Sequence, residues 1–535
     1  MSVQSTHADY DASLAVWQRA RDVIAGEDAV KRAGAKYLPR LESQSDTEFA
    51  AYVARASFFN ATARTADGYL GLIFRRAPFM KLPDETTPKH TNNTKEAGES
   101  PSPQPSPPRG RGSSALGEAL RVFANDVDML GTPLQGYAKN VVAEVLAVGR
   151  TGTLIDWEGE VENRAYAILY SAENILNWRV ERVNGRNVPT LVVLAEKAEA
   201  RSHKSEVGSQ NGEGDEFEAE EVEQLRVLKL VEGRSLRGEG QDGHQQSTPN
   251  SQPACVVEVW RRVEKKSGRD KTEWQVVETR VPLRRGKPLP LLPFVFHGPS
   301  HSLPAVEKPP LGDIIAVNLD HYRLDADYKH GIHFTALPTA WVSGFAKDAT
   351  LRIGSSTAWT TDTVGAAAGF LEFTGQGLST FERAMDRDER LMAVLGSRLL
   401  AEQKRVGETA EAMEIRQGGE NSILAHIATS VSGSLTQMLR WAYWWNSTEE
   451  TPEAVPESEV LFTLNTDYSI KGMAAAEVVA LVQAWQSRAL STDTLHELFR
   501  RGEILPEGRT NEEEQALIAQ SKPASTINPQ PSTLN

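Results

Sequence analysis

The stretch that decides the fold is PPLGDIIAVNLDHYRLDADYKHGIHF, from Pro309 to Phe334. Prolines stand just before its first apolar residue, as is common where a helix begins. Apolar side chains then recur at helical spacing, at Leu311, Ile315, Leu319 and Tyr322. A second stripe is polar and consists of Asp313, Asp320, Arg323, Asp327 and His330. The pattern predicts a helix from Leu311 to about Phe334, and Pro338 prevents it from continuing.

The polar stripe admits two interpretations. His330 and His333 are three residues apart, so they could bind a metal together with Asp327 on one helix face. That would make the chain a metal-dependent hydrolase or nuclease. However, Gly331 falls between the histidines near the expected helix end, and no further ligand is indicated elsewhere in the sequence. Histidines near a helix C-terminus are also favoured by the helix dipole, and we prefer this non-catalytic interpretation.

Two more helices are predicted downstream. The first runs from Leu378 to Ala401, with a packing seam of Leu378, Phe381, Met385, Met392, Leu395 and Leu399. The second runs from Glu408 to Trp445, with the strongest apolar period in the chain. Its seam is Leu424, Ile427, Val431, Leu435, Met438, Ala442 and Trp445. Residues 335–376 lie between the helix that ends near Phe334 and the helix that begins at Leu378. They are rich in Thr, Gly and Ala and are predicted to be non-helical.

The N-terminal part combines helices and strands. Ser45 and Glu48 form a capping-box signature, and the apolar stripe of Phe49, Tyr52, Val53, Ala56 and Phe59 follows it. Pro133 suits the first turn of another helix, which Gly149 and Gly152 would end. The segments TGTLIDW, PTLVVLAEK, ACVVEVWRRVEK and TEWQVVETRVPL are predicted strands. Two short helices are expected near the C-terminus, with Ser491 or Thr492 capping the second.

Composition limits the possible functions. The chain has 535 residues and a net charge of -14, which argues against non-specific wrapping of DNA or of an anionic membrane. Its single cysteine, Cys255, lies among strand residues and is expected to be buried and inert. There is no phosphate-binding Gly-rich loop, no nucleophile elbow, no signal-peptide pattern and no apolar run long enough to span a membrane. A soluble protein made in the cytoplasm is therefore expected.

Three segments have low-complexity composition and are predicted to be disordered. They are residues 84–114, which are proline-rich, residues 200–253, which a strand-like piece interrupts, and the tail 521–535. Insertions of this kind into surface loops change stability little.

Five stretches carry a resemblance to a known family. They are YLPRLESQSDTEFAAYVARASFFNATARTADGYLGLIFRRAP, EVLAVGRTGTLIDW, PPLGDIIAVNLDHYRLDADYKHGIHFTALPTAWVSG, GETAEAMEIRQGGENSILAHIATSVS and FTLNTDYS. In this order they resemble a portal protein of tailed bacteriophages, of an uncharacterised portal-like family. The low-complexity insertions depart from the family pattern, and no role in assembly is expected for them.

The resemblance implies an α+β portal fold with a mixed helix and strand wing, a two-helix stem, a small β-containing clip and a helical crown. The implied parts are the wing at 1–310, stem helix 1 at 311–334, the clip at 335–376, stem helix 2 at 377–402, a tunnel loop at 403–407, a wing spine helix at 408–450, the crown at 451–520 and the tail at 521–535.

The implied function is a conduit for DNA packaging and ejection, without catalysis or a cofactor of its own. Its implied location is the portal vertex of the virion, and the host cytoplasm during assembly. Portals are homo-oligomeric rings of roughly twelve subunits, and double-stranded DNA passes through them. The implied partners also include the terminase large subunit, capsid and scaffolding proteins, and head-tail connector proteins. Another head-associated structural protein is the alternative within the same class.

Two groups of site residues follow from the resemblance. Gln403, Lys404 and Arg405 would form the DNA-facing tunnel loop. Asp320, Arg323, Asp327 and His330 would face the channel or a neighbouring subunit. An acidic conduit with a few cations passes a polyanion without holding it, in keeping with the net charge.

Overall fold

The computed structural model describes residues 2–83, 111–159, 161–183, 185–199, 221–231, 253–264, 272–335, 339–345, 359–371, 377–398, 423–456, 458–466, 468, 475–502, 504–505 and 509–520. The helices are α1 (Ala8–Ala25), α2 (Glu27–Ala33), α3 (Asp46–Arg55), α4 (Ala61–Ile73), α5 (Arg111–Asn125), α6 (Leu134–Val148), α7 (Gly312–Thr335), α8 (Leu378–Arg398), α9 (Ile423–Asn446), α10 (Ala475–Gln486), α11 (Thr492–Arg501) and α12 (Asn511–Gln520).

The same residues contain fourteen strands. The strands are β1 (Phe79–Lys81), β2 (Thr151–Glu158), β3 (Arg164–Ser171), β4 (Ile175–Val183), β5 (Arg186–Glu199), β6 (Glu221–Val231), β7 (Ala254–Glu264), β8 (Thr272–Arg280), β9 (Leu283–Arg284), β10 (Lys287–Pro288), β11 (Phe294–His297), β12 (Thr339–Ser343), β13 (Ala367–Leu371) and β14 (Leu461–Thr463). The chain is therefore a mixture of helices and sheets, and the predicted α+β class is confirmed.

The strands form mostly antiparallel meanders. Strands β4 to β8 make a five-stranded sheet in chain order, and β11, β2 and β3 make a three-stranded one. The four predicted strand segments all lie in these sheets, so they are confirmed. Two further strand pairs are small. Strand β1 pairs with β14, which is distant in the chain, and β12 pairs with β13 in a hairpin. The pairing with β1 holds residues 461–463, which lie within the expected crown segment 451–520, against the N-terminal body.

The N-terminal helices begin as the sequence predicts but break earlier. Ser45 accepts a hydrogen bond from the backbone N–H of Glu48, whose carboxylate accepts one from the backbone N–H of Ser45, so the capping box is confirmed. The continuous apolar stripe to Phe59 is wrong. Helix α3 ends at Arg55, and Asn60 caps a new helix, because its side chain accepts from an N–H of the first turn of α4.

Of three glycines near expected helix ends, one has the predicted role and two do not. Gly149 ends α6 in the left-handed region at φ 75°, as predicted, and Pro133 is the N-cap rather than part of the first turn. Gly152 lies inside β2 instead of ending a helix, because a Cβ there would stand 2.4 Å from Cζ of Phe294. Gly331 does not end α7, which continues to Thr335. Its missing side chain lets α8 approach, since a Cβ would stand 2.8 Å from Cδ2 of Leu378.

Helix α9 is the centre of the core. Every seam residue predicted for it is buried, which confirms the periodic pattern: Leu424, Ile427, Val431, Leu435, Met438, Ala442 and Trp445. The helix packs against α5, α6, β2, β3, β11 and β14. Because it is covered on most sides, its position relative to the sheets is fixed by close packing.

A buried polar network joins α9 to the three-stranded sheet and to α6. Both ring nitrogens of His297 are used, Nε2 at 2.7 Å from Oγ1 of Thr153 and Nδ1 at 2.7 Å from Oγ of Ser434. The hydroxyl of Tyr137 lies 2.8 Å from the same Thr153 oxygen. Burial lowers the pKa of His297 to about 3, so its ring is neutral. A complete network of this kind specifies one register between helix and sheet.

Several expectations concern residues outside the described ranges. These are residues 84–110, 200–220 and 232–252, the tail 521–535, and the start of the predicted spine helix at 408–422. Two helices differ from the prediction. Helix α5 already begins at Arg111, inside the expected proline-rich insertion, and the third C-terminal helix, α12, was not predicted. Ser491 caps α11, as predicted.

Candidate functional site

The candidate site is the pair of helices α7 and α8 together with the strand hairpin between them. The helices run antiparallel, because Tyr328 of α7 donates to Glu382 over 2.6 Å while His321 Nε2 lies 3.5 Å from Glu389. The hairpin of β12 and β13 follows α7 and precedes α8. We call this unit, residues 312–398, the helix-hairpin unit.

The apolar face of α7 is buried as predicted. Leu311, Ile315, Leu319 and Tyr322 are all at most 3% exposed. The matching seam of α8 is only partly covered: Met392 is buried, while Leu378, Phe381, Met385 and Leu395 are half-buried. Leu399 and the last predicted residues of this helix lie outside the described ranges.

Asp320 and Arg323, in the middle of the polar stripe of α7, form an ion pair at the surface. Arg323 donates to Asp320 over 2.8 Å, and its Nε also donates to the backbone carbonyl of Tyr37 over 2.9 Å. Asp320 is exposed and Arg323 is half-buried. An exposed pair of this kind adds little stability by itself, but the Arg323 bond also fixes the segment before α3 to α7.

The two polar residues nearer the end of α7 contact α3 of the same chain. Tyr52 donates its hydroxyl proton to Asp327, and its ring lies edge-on to His330 with 5.2 Å between ring centroids. Burial, reinforced by Asp327, raises the pKa of Tyr52, so the hydroxyl stays a donor. Burial and the charge of Arg55 lower the pKa of His330. For these two residues and for Asp320 and Arg323, contact with a channel or a neighbour stays a prediction.

The break between α3 and α4 is also held by α7. The carboxylate of Asp325 accepts from the backbone N–H of Ser57 over 2.6 Å and lies 3.2 Å from Nζ of Lys329. Lys329 donates in turn to the hydroxyl of Ser57. The acidic residues of this face therefore act as partners for backbone and hydroxyl groups of residues 52–57.

Asn318 joins α7 to α4, and this role was not predicted from the sequence. It is fully buried, and its Oδ1 accepts from both the backbone N–H and the hydroxyl of Thr62 over 3.1 and 2.8 Å. Its Nδ2 donates to the carbonyl of Phe59 over 2.7 Å. The available signal was an amide side chain between Val317 and Leu319, within the apolar stripe. Asn318 thus attaches the first turn of α4 to α7.

The metal interpretation has little geometric support. Among the residues that the structure describes, no group of three or more His, Cys, Asp or Glu could hold a metal ion. One carboxylate oxygen of Asp327 accepts the hydroxyl proton of Tyr52. Cys255 is buried as predicted, and burial raises the pKa of its thiol to about 12. Within the described ranges, none of the helices has the length and low charge needed to cross a bilayer.

The outer face of α8 is charged and the hairpin is apolar. Exposed residues of both signs line the helix: Glu382, Arg383, Asp386, Arg387, Glu389 and Arg390. On the hairpin, Trp341, Val342 and Phe370 are 46%, 37% and 52% exposed. In the register of the two strands, Trp341 lies on one face of the hairpin and Val342 with Phe370 on the other, so both faces expose apolar side chains. The tunnel-loop candidates Gln403, Lys404 and Arg405 lie outside the described residues.

We expect the Tyr52–Asp327 contact to contribute measurably to stability. Tyr52→Phe should lower the free energy of unfolding by about 1–2 kcal/mol, because it leaves a half-buried carboxylate without its donor. Tyr328→Phe is the matched control, since its hydroxyl also donates to a carboxylate but lies at the surface. Urea denaturation of both variants measures the difference. Equal changes for the two tyrosines would contradict the proposed attachment of α3 to α7.

Comparison with known proteins gives three results. A domain of unknown function, DUF4055, matches residues 310–446, which include α7, the hairpin, α8 and α9 but less than half of the chain. No curated protein matches. Among solved structures, a chain of the neck of an empty GTA particle, computed with C6 symmetry, is 10% identical at a TM-score of 0.31, covering 93% of this chain and 99% of that one.

A second solved structure is a chain from the virion of a native gene transfer agent (GTA) particle. It is 9% identical at a TM-score of 0.33, and the match covers 93% of this chain and 99% of that chain. TM-scores this low assign neither a fold nor a function to the chain. The helix-hairpin unit, which the DUF4055 match includes, is therefore the better guide to function.

Proposed function

We propose that the chain is a structural protein of the head or neck of a phage-like particle, and within that class a portal. It would form a closed ring at one vertex of the capsid and act as a conduit for double-stranded DNA. It would have no catalytic activity of its own. The terminase large subunit would supply the energy for packaging, and connector proteins would bind later. Capsid and scaffolding proteins would surround the ring.

One observation carries this proposal: the helix-hairpin unit and the buried helix that follows it along the chain. Two antiparallel helices of 24 and 21 residues carry a strand hairpin with exposed aromatic side chains, and the next described element is the central core helix α9. A helix pair whose first helix is held by α3 and α4 and whose connecting hairpin exposes apolar side chains suits a stem with an end that contacts other proteins. Such contacts, repeated head to tail, can close a ring.

Charge supports passage of DNA over retention of DNA. The net charge of the chain is -14, and the exposed side of α8 mixes carboxylates with guanidinium groups. Phosphates are repelled by the acidic excess, while isolated cations lower the barrier locally. A protein that binds DNA tightly would instead present a continuous basic surface.

Mass photometry of the purified full-length chain tests the proposal. Each chain has a mass of 58.8 kDa, and a portal ring of roughly twelve subunits would appear near 0.7 MDa. Treatment with a metal chelator should leave that mass unchanged. A stable monomer that carries one metal ion per chain would overturn the portal and favour the hydrolase or nuclease alternative.

We expect the tunnel-loop cations to affect how much DNA is packaged. Lys404→Glu together with Arg405→Glu should shorten the packaged genome, because each new carboxylate repels a nearby phosphate by about 1 kcal/mol at contact distance in water. Genome length per particle, measured by gel electrophoresis, is the readout. The control is Arg179→Glu with Lys197→Glu, two exposed cations of the five-stranded sheet. Full-length genomes in both variants would remove the tunnel-loop assignment.

A further inference from the structure

An apolar groove lies between α4 and α8. It has a volume of about 500 Å³, and its walls include Phe59, Gly68, Tyr69, Met392, Ala393 and Gly396. Arg64 and Glu389 are the charged residues that line it. Tyr69 is buried and donates to the carbonyl of Gly396 over 2.5 Å, which joins the two walls. The groove is therefore a formed feature of the surface, with room for one or two aliphatic side chains.

The same helix carries exposed apolar side chains on its other side. Leu391 is 37% exposed and Val394 is 43% exposed. At 100° per residue, they lie roughly 180° around α8 from the residues that line the groove. A copy of the chain therefore cannot place Leu391 and Val394 in its own groove. A second copy, placed beside it in the same orientation, presents them to the groove directly.

We propose that Leu391 and Val394 of one copy occupy the groove between α4 and α8 of the next copy. This contact is head to tail, since the two surfaces differ, and its repetition closes a ring or continues as a filament. Arg387 lies on the same side of α8 as Leu391 and would approach Glu389, the carboxylate of a groove whose other charged residue is Arg64. The inference rests on the proposed ring and adds the surface that joins neighbouring subunits.

Glycines of α4 offer a direct test of the groove. A Cβ at Gly68, which lines the groove, would meet nothing within 4 Å, so Gly68→Trp fits the fold and fills the groove. Gly71 has the same open surroundings but does not line the groove, so Gly71→Trp is the matched control. We expect Gly68→Trp to reduce the ring fraction at least tenfold by mass photometry, while Gly71→Trp leaves it unchanged.

The opposite surface is tested in the same way. Leu391→Asp should also abolish the ring, whereas Leu303→Asp, at a Leu that is 60% exposed elsewhere, should not. An equal mixture of the Gly68→Trp and Leu391→Asp chains retains one intact contact. Sedimentation velocity should therefore show a heterodimer and nothing larger.

The outcomes separate this inference from the proposed function. If the unmodified chain forms no ring, the portal proposal fails and this inference fails with it. If the unmodified chain forms rings and Gly68→Trp and Leu391→Asp do so equally well, the ring is real and only this contact is wrong. Unchanged far-UV circular dichroism of the variants shows that loss of the ring is not loss of the fold, since dissociation alone can lower a melting temperature.

Discussion

His297→Ala should lower the free energy of unfolding by about 4 kcal/mol, because it leaves the hydroxyls of Thr153 and Ser434 without their shared partner and opens a cavity in the core. Both hydroxyls lie 2.7 Å from the ring nitrogens of His297, which is 1% exposed. Urea denaturation at pH 7.5, followed by tryptophan fluorescence, measures the change. His301→Ala is the control, at a half-exposed histidine. A change below about 1 kcal/mol would show that the network contributes little.

The same residue should make the protein sensitive to acid. Burial lowers the pKa of His297 to about 3 in the folded state, against an ordinary value of 6.5. The unfolded chain therefore binds a proton that the folded chain does not, so this contribution is complete above pH 6.5 and is lost as pH falls towards 3. Between these values the unmodified protein should lose about 1.4 kcal/mol per pH unit more than His297→Asn. Parallel pH profiles would contradict the neutral buried histidine.

The second large effect is expected at Asn318. Asn318→Leu should lower the free energy of unfolding by about 3 kcal/mol, because Thr62 and the carbonyl of Phe59 lose hydrogen bonds that water cannot replace. Ala316→Leu, at an exposed position of the same helix, is the control and should change stability by less than about 0.5 kcal/mol. Thermal and urea denaturation of the purified chains measure both effects.

A double variant isolates the pair. Thr62→Val removes the hydroxyl that Asn318 binds, so Asn318→Leu with Thr62→Val should be less destabilising than the sum of the single changes. Removing both partners leaves fewer unsatisfied groups than removing one. Strict additivity would indicate that the two side chains do not interact and that α4 is attached to α7 by other contacts.

Local periodicity made much of the fold predictable. The seam of α9 and the apolar stripe of α7 could be predicted, because a helix that packs on one side must repeat its apolar residues every three or four positions. The capping box at Ser45 was readable for a similar reason, since both of its partners lie within one turn. Features set by neighbouring residues are visible in a single sequence.

Features set by distant residues were not predictable. The pairing of Phe79 with Thr463 joins strands far apart in the chain, and Tyr52 meets Asp327 only after folding. The approach of Gly331 to Leu378 of α8 was not predicted either, because it depends on how the two helices pack. The polar stripe of α7 was correctly recognised as polar, but its in-chain partners in α3 depend on tertiary structure.

The central claim is that the chain forms a closed ring with a channel, and negative-stain electron microscopy of the purified full-length protein tests it most directly. We predict class averages with a central hole, rotational symmetry of roughly twelve-fold order, and a narrower stem in side view. Rings that persist after nuclease treatment would show that the assembly does not depend on DNA. Fields of monomers, or open filaments without a hole, would contradict the portal assignment.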